Sequence, residues 1–342
     1  PAALQARLKS LIQGTFSTIF GVMITLGIFF AFDWGYALVQ ATRGVLPESL
    51  GFWAGLFKKL LGTGGTGVDQ NWWLFFAPAI LMGLCWVTMY RYLCDSPSEA
   101  GFADFDTGEE SVSADGQRLP VKQVFHKIIT HPVLLVVCGI EFCSGILRNG
   151  VMHWYPLFAA EVGFRKSFWI TQNWGLMLLI AGLAGAFLTG WASDKLFQSR
   201  RAPMAAILYG VMVVSALLLA MTLGKALWFG GAAVLLISLS VIGVHGILSG
   251  TSTTDFGGAK NAGAAVGIVD GMVYLGTGLQ SVIIGHLTPV GDAAKDPANW
   301  FWWPVFLVPF AVIGLVLSAK IWNAVPKRSR PAASQPAAAA SA

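Results

Sequence analysis

Two ionisable side chains lie where ionisable side chains are costly. Glu141 and Arg148 sit inside an apolar run that starts near His131 and continues past Val151. At a rise of about 1.5 Å per residue such a run crosses a bilayer. A charge at that depth costs at least about 2.5–3.5 kcal/mol, so it persists where it faces a partner or a water-filled cavity. Seven residues apart, the two share one helix face at a separation of two turns. Two roles fit Arg148. Its guanidinium is a permanently charged fork suited to the oxygens of a carboxylate or phosphate, or it forms a structural ion pair with Glu141 or with another helix.

A second group lies at Asp270, Tyr274 and Thr277, at helical spacing in another apolar run. Tyr274 can hydrogen-bond substrate oxygens or pack as a satisfied core aromatic. Asp270 can carry a coupling proton, balance a cationic group, or bond across a helix pair. Gly263, Gly267 and Gly271 form a small-residue stripe that invites close approach of another helix. A third group is the turn Gly190-Trp-Ala-Ser-Asp-Lys-Leu-Phe-Gln-Ser-Arg-Arg-Ala-Pro203. Pro203 is expected to open the next helix. The turn also carries Lys195, Arg200 and Arg201, and Asp194 can pair with a basic side chain, cap a helix N-terminus across the interface, or simply be solvated. Paired, it is a latch between helices.

The histidines His126, His131, His153 and His245 show no metal-ligand spacing, so structural roles are favoured for them and no metal is expected. Cys85, Cys94, Cys138 and Cys143 form no Cys-x-x-Cys pattern and read as small packing residues. There is no Gly-x-Ser-x-Gly, phosphate-binding loop or His-Glu-x-x-His motif, which weighs against an enzyme and against a cofactor.

The elements that position these groups are transmembrane helices. The 342 residues are 55% hydrophobic and only 11% charged, against about 25% charged in a soluble domain. Mean hydropathy is +0.66. The apolar runs are continuous rather than alternating, which argues against a β-barrel. Eight segments are long enough to span: about 14–38, 72–93, 131–156, 170–190, 204–223, 227–249, 262–286 and 301–322. Tryptophans mark many of their ends (Trp34, Trp72, Trp73, Trp154, Trp169, Trp191, Trp300, Trp302, Trp303 and Trp322), as in an interfacial aromatic belt.

Residues 51–61 are too short to span and carry Lys58 and Lys59, so an interfacial helix is expected there, followed by a flexible glycine-rich loop. Residues 94–130 form a polar linker, and the tail after Pro326 reads as disordered. With alternating sides, the side holding that linker and the C-terminus carries 14 Lys and Arg against 7 on the other. The positive-inside rule makes the richer side cytoplasmic. In such a chain the net charge of +5 reflects orientation rather than nucleic-acid binding.

The turn at 190–203 resembles the Gly-x-x-x-Asp-Lys/Arg loop of the major facilitator superfamily. Its Gly-Trp-x-Ser-Asp-Lys-x-Phe form is similar to the organophosphate:phosphate antiporter branch, which holds glycerol-3-phosphate and hexose-phosphate carriers. Leu147-Arg-Asn-Gly-Val-x-x-Trp154 resembles the seventh helix of that branch. Ala259-Lys-Asn-Ala-Gly263 through Gly276 resembles the entry into its eleventh, and Arg91 to Gly101 the end of its sixth. The resemblance runs from about Gly14 to Trp322.

It implies an all-α fold of twelve helices in two halves around a cavity, working by alternating access. The eight spans here match helices five to twelve, so the sequence looks N-terminally truncated. Residues 1–93 are then the last two helices of the first half with a long extracytoplasmic loop, 94–130 the central linker, 131–325 the second half and 326–342 the tail. The resemblance also implies a phosphate contact at Arg148, a substrate-contacting tyrosine at Tyr274, and Asp194, Lys195, Arg200 and Arg201 as the conformational loop. The glycerol-3-phosphate carriers have a histidine where Met23 stands, an acid where His153 stands, and a glutamate where Leu179 stands. Glu141 and Asp270 are instead the acids at membrane depth, and His153 joins Arg148 and Tyr274 as a substrate-binding candidate.

The expected function is secondary transport of a phosphorylated metabolite such as a sugar phosphate or glycerol phosphate, in exchange for inorganic phosphate. The alternatives are a proton-coupled symporter of another organic anion or sugar, using Glu141 or Asp270, and a sugar-phosphate sensor of the same fold. The expected setting is the inner or plasma membrane. The expected partners are the small anionic substrate and lipid, with no nucleic acid and a monomeric full-length protein.

Overall fold

A computed structural model of the chain describes residues 21–94, 99–101, 121–198, 200–252 and 262–324. The polar middle of the linker, the 253–261 approach to the seventh span and the tail lie outside the described residues. Among the described residues eight helices are long and apolar enough to cross a membrane. Every segment expected from the sequence is matched within a few residues over the residues described, the first being described from Gly21 onward. The chain is an all-α, multi-pass membrane protein.

Contacts divide it into two compact units, one of which comprises residues 26–107. That unit contains most of α1 (Gly21–Ala41), then α2 (Phe52–Leu61) and α3 (Trp73–Tyr92). Phe30–Trp34 of α1 is a π-helical turn. α2 has ten residues, about 15 Å, too short to span. Its Trp53 and Phe57 rings pack on Trp34, with centroids 5.0 and 5.8 Å apart.

The stretch after α2 is not the flexible loop its glycines suggest. Gly65 and Gly67 donate to Arg43 O and Gly44 O, each at 3.0 Å, and Gln70 N donates to Thr42 O at 2.9 Å. Gly44 N donates to Asp69 Oδ1 at 2.7 Å. Gly62, Gly64, Gly65 and Gly67 all have positive φ. The glycines therefore supply left-handed turns that strap the stretch onto the end of α1.

The other unit holds α4 (Val121–Thr130), α5 (Pro132–Met152), α6 (Trp154–Glu161), α7 (Trp174–Leu196), α8 (Arg201–Thr222), α9 (Leu227–His245), α10 (Ala262–Leu287) and α11 (Trp302–Lys320). α5 is its centre, packed on α9, α10 and α11, while α8 packs on α9 and α11, and α7 on α9. α8 begins at Arg201, so Pro203 lies in its first turn rather than opening it.

Not all the tryptophans form a belt. Trp169, Trp191 and Trp302 are exposed. Trp300 and Trp303 are buried with Tyr155, Phe158 and Phe164 in an aromatic core. Their indole N–H groups donate to Ala294 O at 2.8 Å and Gly150 O at 2.6 Å, which is what lets them be buried. All four cysteines are free thiols.

Candidate functional site

The site is built on the face where α5 meets α10. α5 starts sharply: Pro132 occupies its first turn and Leu134 N donates to His131 Nδ1 at 3.3 Å. Midway, two glycines bring the backbones together. A Cβ on Gly145 would overlap Val273 O, and one on Gly276 would overlap Phe142 O. The contact is thus reciprocal, and any larger side chain at either position pushes the helices apart. Val273, Gly276, Thr277 and Gln280 are the stripe of α10 that faces α5. The stripe expected from the sequence is not: among the described residues, a Cβ on Gly263, Gly267 or Gly271 would meet nothing within 4 Å. Gly271 is five residues before Gly276, which turns it roughly 140° away.

Beside that contact, the turn carrying Arg148 is held on both sides. Asn149 Nδ2 donates to Thr277 Oγ1 at 2.7 Å, and Thr277 O–H reaches Gly145 O at 3.4 Å. One turn on, Trp154 Nε1 donates to Gln280 Oε1 at 3.1 Å. Arg148 itself takes no part. Its Nε is buried without a hydrogen-bond partner, and none of the ion pairs among the described residues includes it. Among the described residues its neighbours thus leave the guanidinium unpaired, and such a fork can take the oxygens of a carboxylate or phosphate. His153, at the junction of α5 and α6, lies within electrostatic reach of it and is exposed.

Glu141 is not the partner of Arg148. It is fully buried, and its Oε2 lies 3.0 Å from His245 Nδ1 at the end of α9. The histidine read from the sequence as a separate structural residue is the one that meets Glu141. Two residues that share a helix face need not share a partner; α9 crosses α5 at the level of Glu141. Asp270 accepts a hydrogen bond from Ser249, one turn beyond His245 in a π-helical turn, Gly246–Ser252. Tyr274 is 67% exposed.

The turn between α7 and α8 forms a closed unit. Arg201 Nη1 donates to Asp194 Oδ1 at 2.9 Å and to Ser193 Oγ at 3.0 Å. Arg201 is only 6% exposed. Arg200 Nε donates to Phe197 O at 3.3 Å and Lys195 is exposed, so neither is in an ion pair with Asp194. No side chain caps the start of α8, so of the two structured roles open to Asp194 the ion pair is the one present.

One acid was passed over. Asp33 sits in the π-helical turn of α1, and its Oδ2 is buried without a partner. Its signal was visible: a lone carboxylate inside the first apolar run. Among the described residues no cluster of His, Cys, Asp and Glu could hold a metal ion.

The sequence profile of the Major Facilitator Superfamily matches residues 12–281. The glycerol-3-phosphate transporter of Bacillus subtilis (strain 168) is 26% identical over 263 residues, which cover 73% of this chain and 56% of the relative. A probable hexose phosphate transport protein of Chlamydia pneumoniae is 24% identical over 338 residues, 89% of this chain and 70% of the relative. The membrane sensor protein UhpC of Escherichia coli (strain K12) is 25% identical over 242 residues, 69% of this chain and 52% of the relative. The chain thus spans little more than half the length of the first and third.

Proposed function

The chain belongs to the major facilitator superfamily, with its organophosphate:phosphate antiporter-like members as relatives, and on that premise we propose that it is part of a secondary carrier for a phosphorylated small metabolite. The family is one of transporters, not enzymes. Sugar phosphates and glycerol phosphate are the substrate class that the named activities of the relatives support. Exchange for inorganic phosphate by alternating access is the mechanism, with two halves rocking about a midplane site. Residues 131–325 are the second half, 1–93 the last two helices of the first, 94–130 the linker between them and 326–342 the tail. The excess of basic residues on one side supports a cytoplasmic C-terminus in an inner or plasma membrane.

The observation that carries the reading is Arg148 Nε, buried and without a partner on a turn whose neighbours are all satisfied. A phosphate supplies two parallel acceptors for that fork. Tyr274 and His153, both exposed, are the further substrate contacts. The Asp194–Arg201 pair is the latch released when the conformation changes.

The likeness to a named sensor favours a second reading, in which binding of a sugar phosphate signals without turnover. Counterflow in liposomes separates the two. The intact carrier, loaded with inorganic phosphate, is expected to accumulate labelled glycerol 3-phosphate or hexose phosphate. Saturable binding without any flux would leave the sensor and overturn the carrier.

A further inference from the structure

We propose that α2 and the end of α1 form a binding site for an anionic phospholipid head group. The inference goes beyond the carrier reading and needs only the membrane setting. It begins from the way α2 stands. The Trp34 ring meets Trp53 and Phe57, one turn apart on α2. Two turns further along α1, Ala41 O accepts from Thr63 Oγ1 at 3.3 Å, just past the last turn of α2. Contacts at nearly matched spacing mean that the two helices run side by side in the same direction. α2 therefore stands along the last two turns of a span, with its C-terminal turn level with the end of that span. The start of α3 reaches the same level, because Gln70 N donates to Thr42 O at 2.9 Å. Exposed Trp72 beside it marks that level as the water–lipid boundary.

The face of α2 turned to α1 carries buried Ala54 and the Phe57 ring. On its other side Phe52, Leu56 and Leu60 recur every four residues as an apolar stripe. Phe52 and Leu60 are 78% and 70% exposed. Phe52 lies about 12 Å below Leu60 along the helix, deeper beside the span. Apolar side chains held at that depth are covered by acyl chains.

Level with the top of the stripe lie three cations: Lys58 and Lys59 in the last turn of α2, and Arg43 just past the end of α1. Nothing among the described residues answers their charge. None of the three is in an ion pair. The helix ends that would attract them are satisfied otherwise. Leu38 O accepts from Thr42 N and Thr42 Oγ1 at 3.0 and 2.9 Å, and Lys58 O accepts from Thr63 N at 3.3 Å. The acid beside them, Asp69, is held by Gly44 N at 2.7 Å. Orientation does not call for these cations either. They are three of the seven Lys and Arg on the side poorer in basic residues.

Two ammonium groups and a guanidinium above an apolar stripe fit one ligand chemistry. It is a phosphodiester of net negative charge whose acyl chains run down the stripe. A soluble phosphate would meet the cations and leave the stripe bare. A zwitterionic lipid would cover the stripe and bring its own ammonium against the cations. Charge and apolar surface together select the anionic lipid. The bonds from Thr63 to Ala41 O and from Gly65 N to Arg43 O tie the two helix ends together, so the cations are held over the stripe by the fold.

The test is photocrosslinking of the intact carrier in phosphatidylcholine bilayers. These are doped with a photoreactive phosphatidylglycerol or, separately, a photoreactive phosphatidylcholine, and the adducts are mapped by mass spectrometry. In wild type both probes should label residues 52–60. A basic side chain near an anionic surface is worth roughly a fivefold preference, so the anionic probe should label at least roughly twentyfold more strongly. Lys58→Gln combined with Lys59→Gln should bring the two probes within roughly fivefold of each other and leave labelling by phosphatidylcholine unchanged. Lys295→Gln removes a lysine already paired with Asp292 and should change neither. Equal labelling of wild type by the two probes would overturn the anionic site. No labelling of 52–60 by either probe would mean that protein covers the stripe, and would overturn the proposal equally. Loss of the phosphatidylglycerol adducts on adding inorganic phosphate would assign the cations to a soluble anion and overturn it as well. None of these outcomes bears on Arg148, so the two readings stand or fall separately.

Discussion

Arg148 and Arg201 are both arginines with a buried, unpartnered Nε, yet their surroundings differ. Arg201 has Asp194 at 2.9 Å and Ser193 at 3.0 Å, supplied by the preceding helix across a short turn. Its charge is answered by the protein itself. Arg148 is flanked by groups that bond one another, Asn149 to Thr277 and Trp154 to Gln280, and none of them turns to the guanidinium. A charge that the protein answers holds helices together. A charge that it surrounds with satisfied neighbours is available to something that comes and goes. On the function proposed above, one region is a fastener and the other a receptor.

The comparison breaks first at Arg148. In the intact carrier, Arg148→Ala should abolish binding of phosphorylated substrate in equilibrium titration while membrane insertion is unimpaired. Arg148→Lys keeps the charge and loses the fork. A charge-assisted hydrogen bond contributes about 1.5–3 kcal/mol, so affinity should drop roughly ten- to hundredfold. Wild-type affinity in folded Arg148→Ala would make Arg148 a structural residue like Arg201.

Gly145→Ala tests whether the receptor depends on backbone contact. The added methyl overlaps Val273 O, and relief requires α5 and α10 to separate. Overpacking of this kind costs about 1–3 kcal/mol. Thermal unfolding of the purified protein should shift down accordingly, and affinity should fall with it. Gly267→Ala, where nothing lies within 4 Å, is the control and should shift neither.

Asp194→Asn should act on the fastener alone. The neutral amide leaves Arg201 buried without its countercharge, at a cost of about 1–3 kcal/mol. Exchange rate should change more than binding affinity, because the turn lies at the end of its span, away from Arg148. Adding Arg201→Gln to Asp194→Asn should restore part of the lost stability, since the buried charge is gone. A collapse of affinity at a normal exchange rate would contradict the division of roles.

Thr277→Val has the smallest expected effect. It removes the acceptor of Asn149 and one brace beside Arg148, about 0.5–1.5 kcal/mol. A severalfold weaker affinity with unchanged exchange rate is expected from uptake kinetics. A larger loss would mean that Thr277 itself touches substrate.

Much of the fold is legible in the residues, because an apolar run of about twenty has few options in a bilayer. The eight spans, the turn at 190–203 and the isolation of Arg148 within an apolar run are readable without coordinates. Three features differ from what their composition suggests, for identifiable reasons. The glycine-rich stretch at 62–67 has the composition of a linker, but left-handed turns and strap bonds to Thr42, Arg43 and Gly44 use the same residue. The buried Trp300 and Trp303 look like belt residues until their N–H groups find carbonyls. The stripe at Gly263, Gly267 and Gly271 has the right spacing for close packing but faces the wrong way.

Residue order alone places the chain in a membrane, sets where its helices run and marks Glu141, Arg148, Asp194 and Asp270 as charges in or beside apolar runs. These follow from the cost of placing a peptide group or a charge in hydrocarbon, a cost that each segment bears alone. The partners come from packing: Glu141 with His245, Asp270 with Ser249, Asp194 with Arg201 and, among the described residues, none for Arg148 Nε. Periodicity fixes the face on which a side chain lies, but which helix crosses that face, and at what level, is set by the packing of residues far apart in the chain.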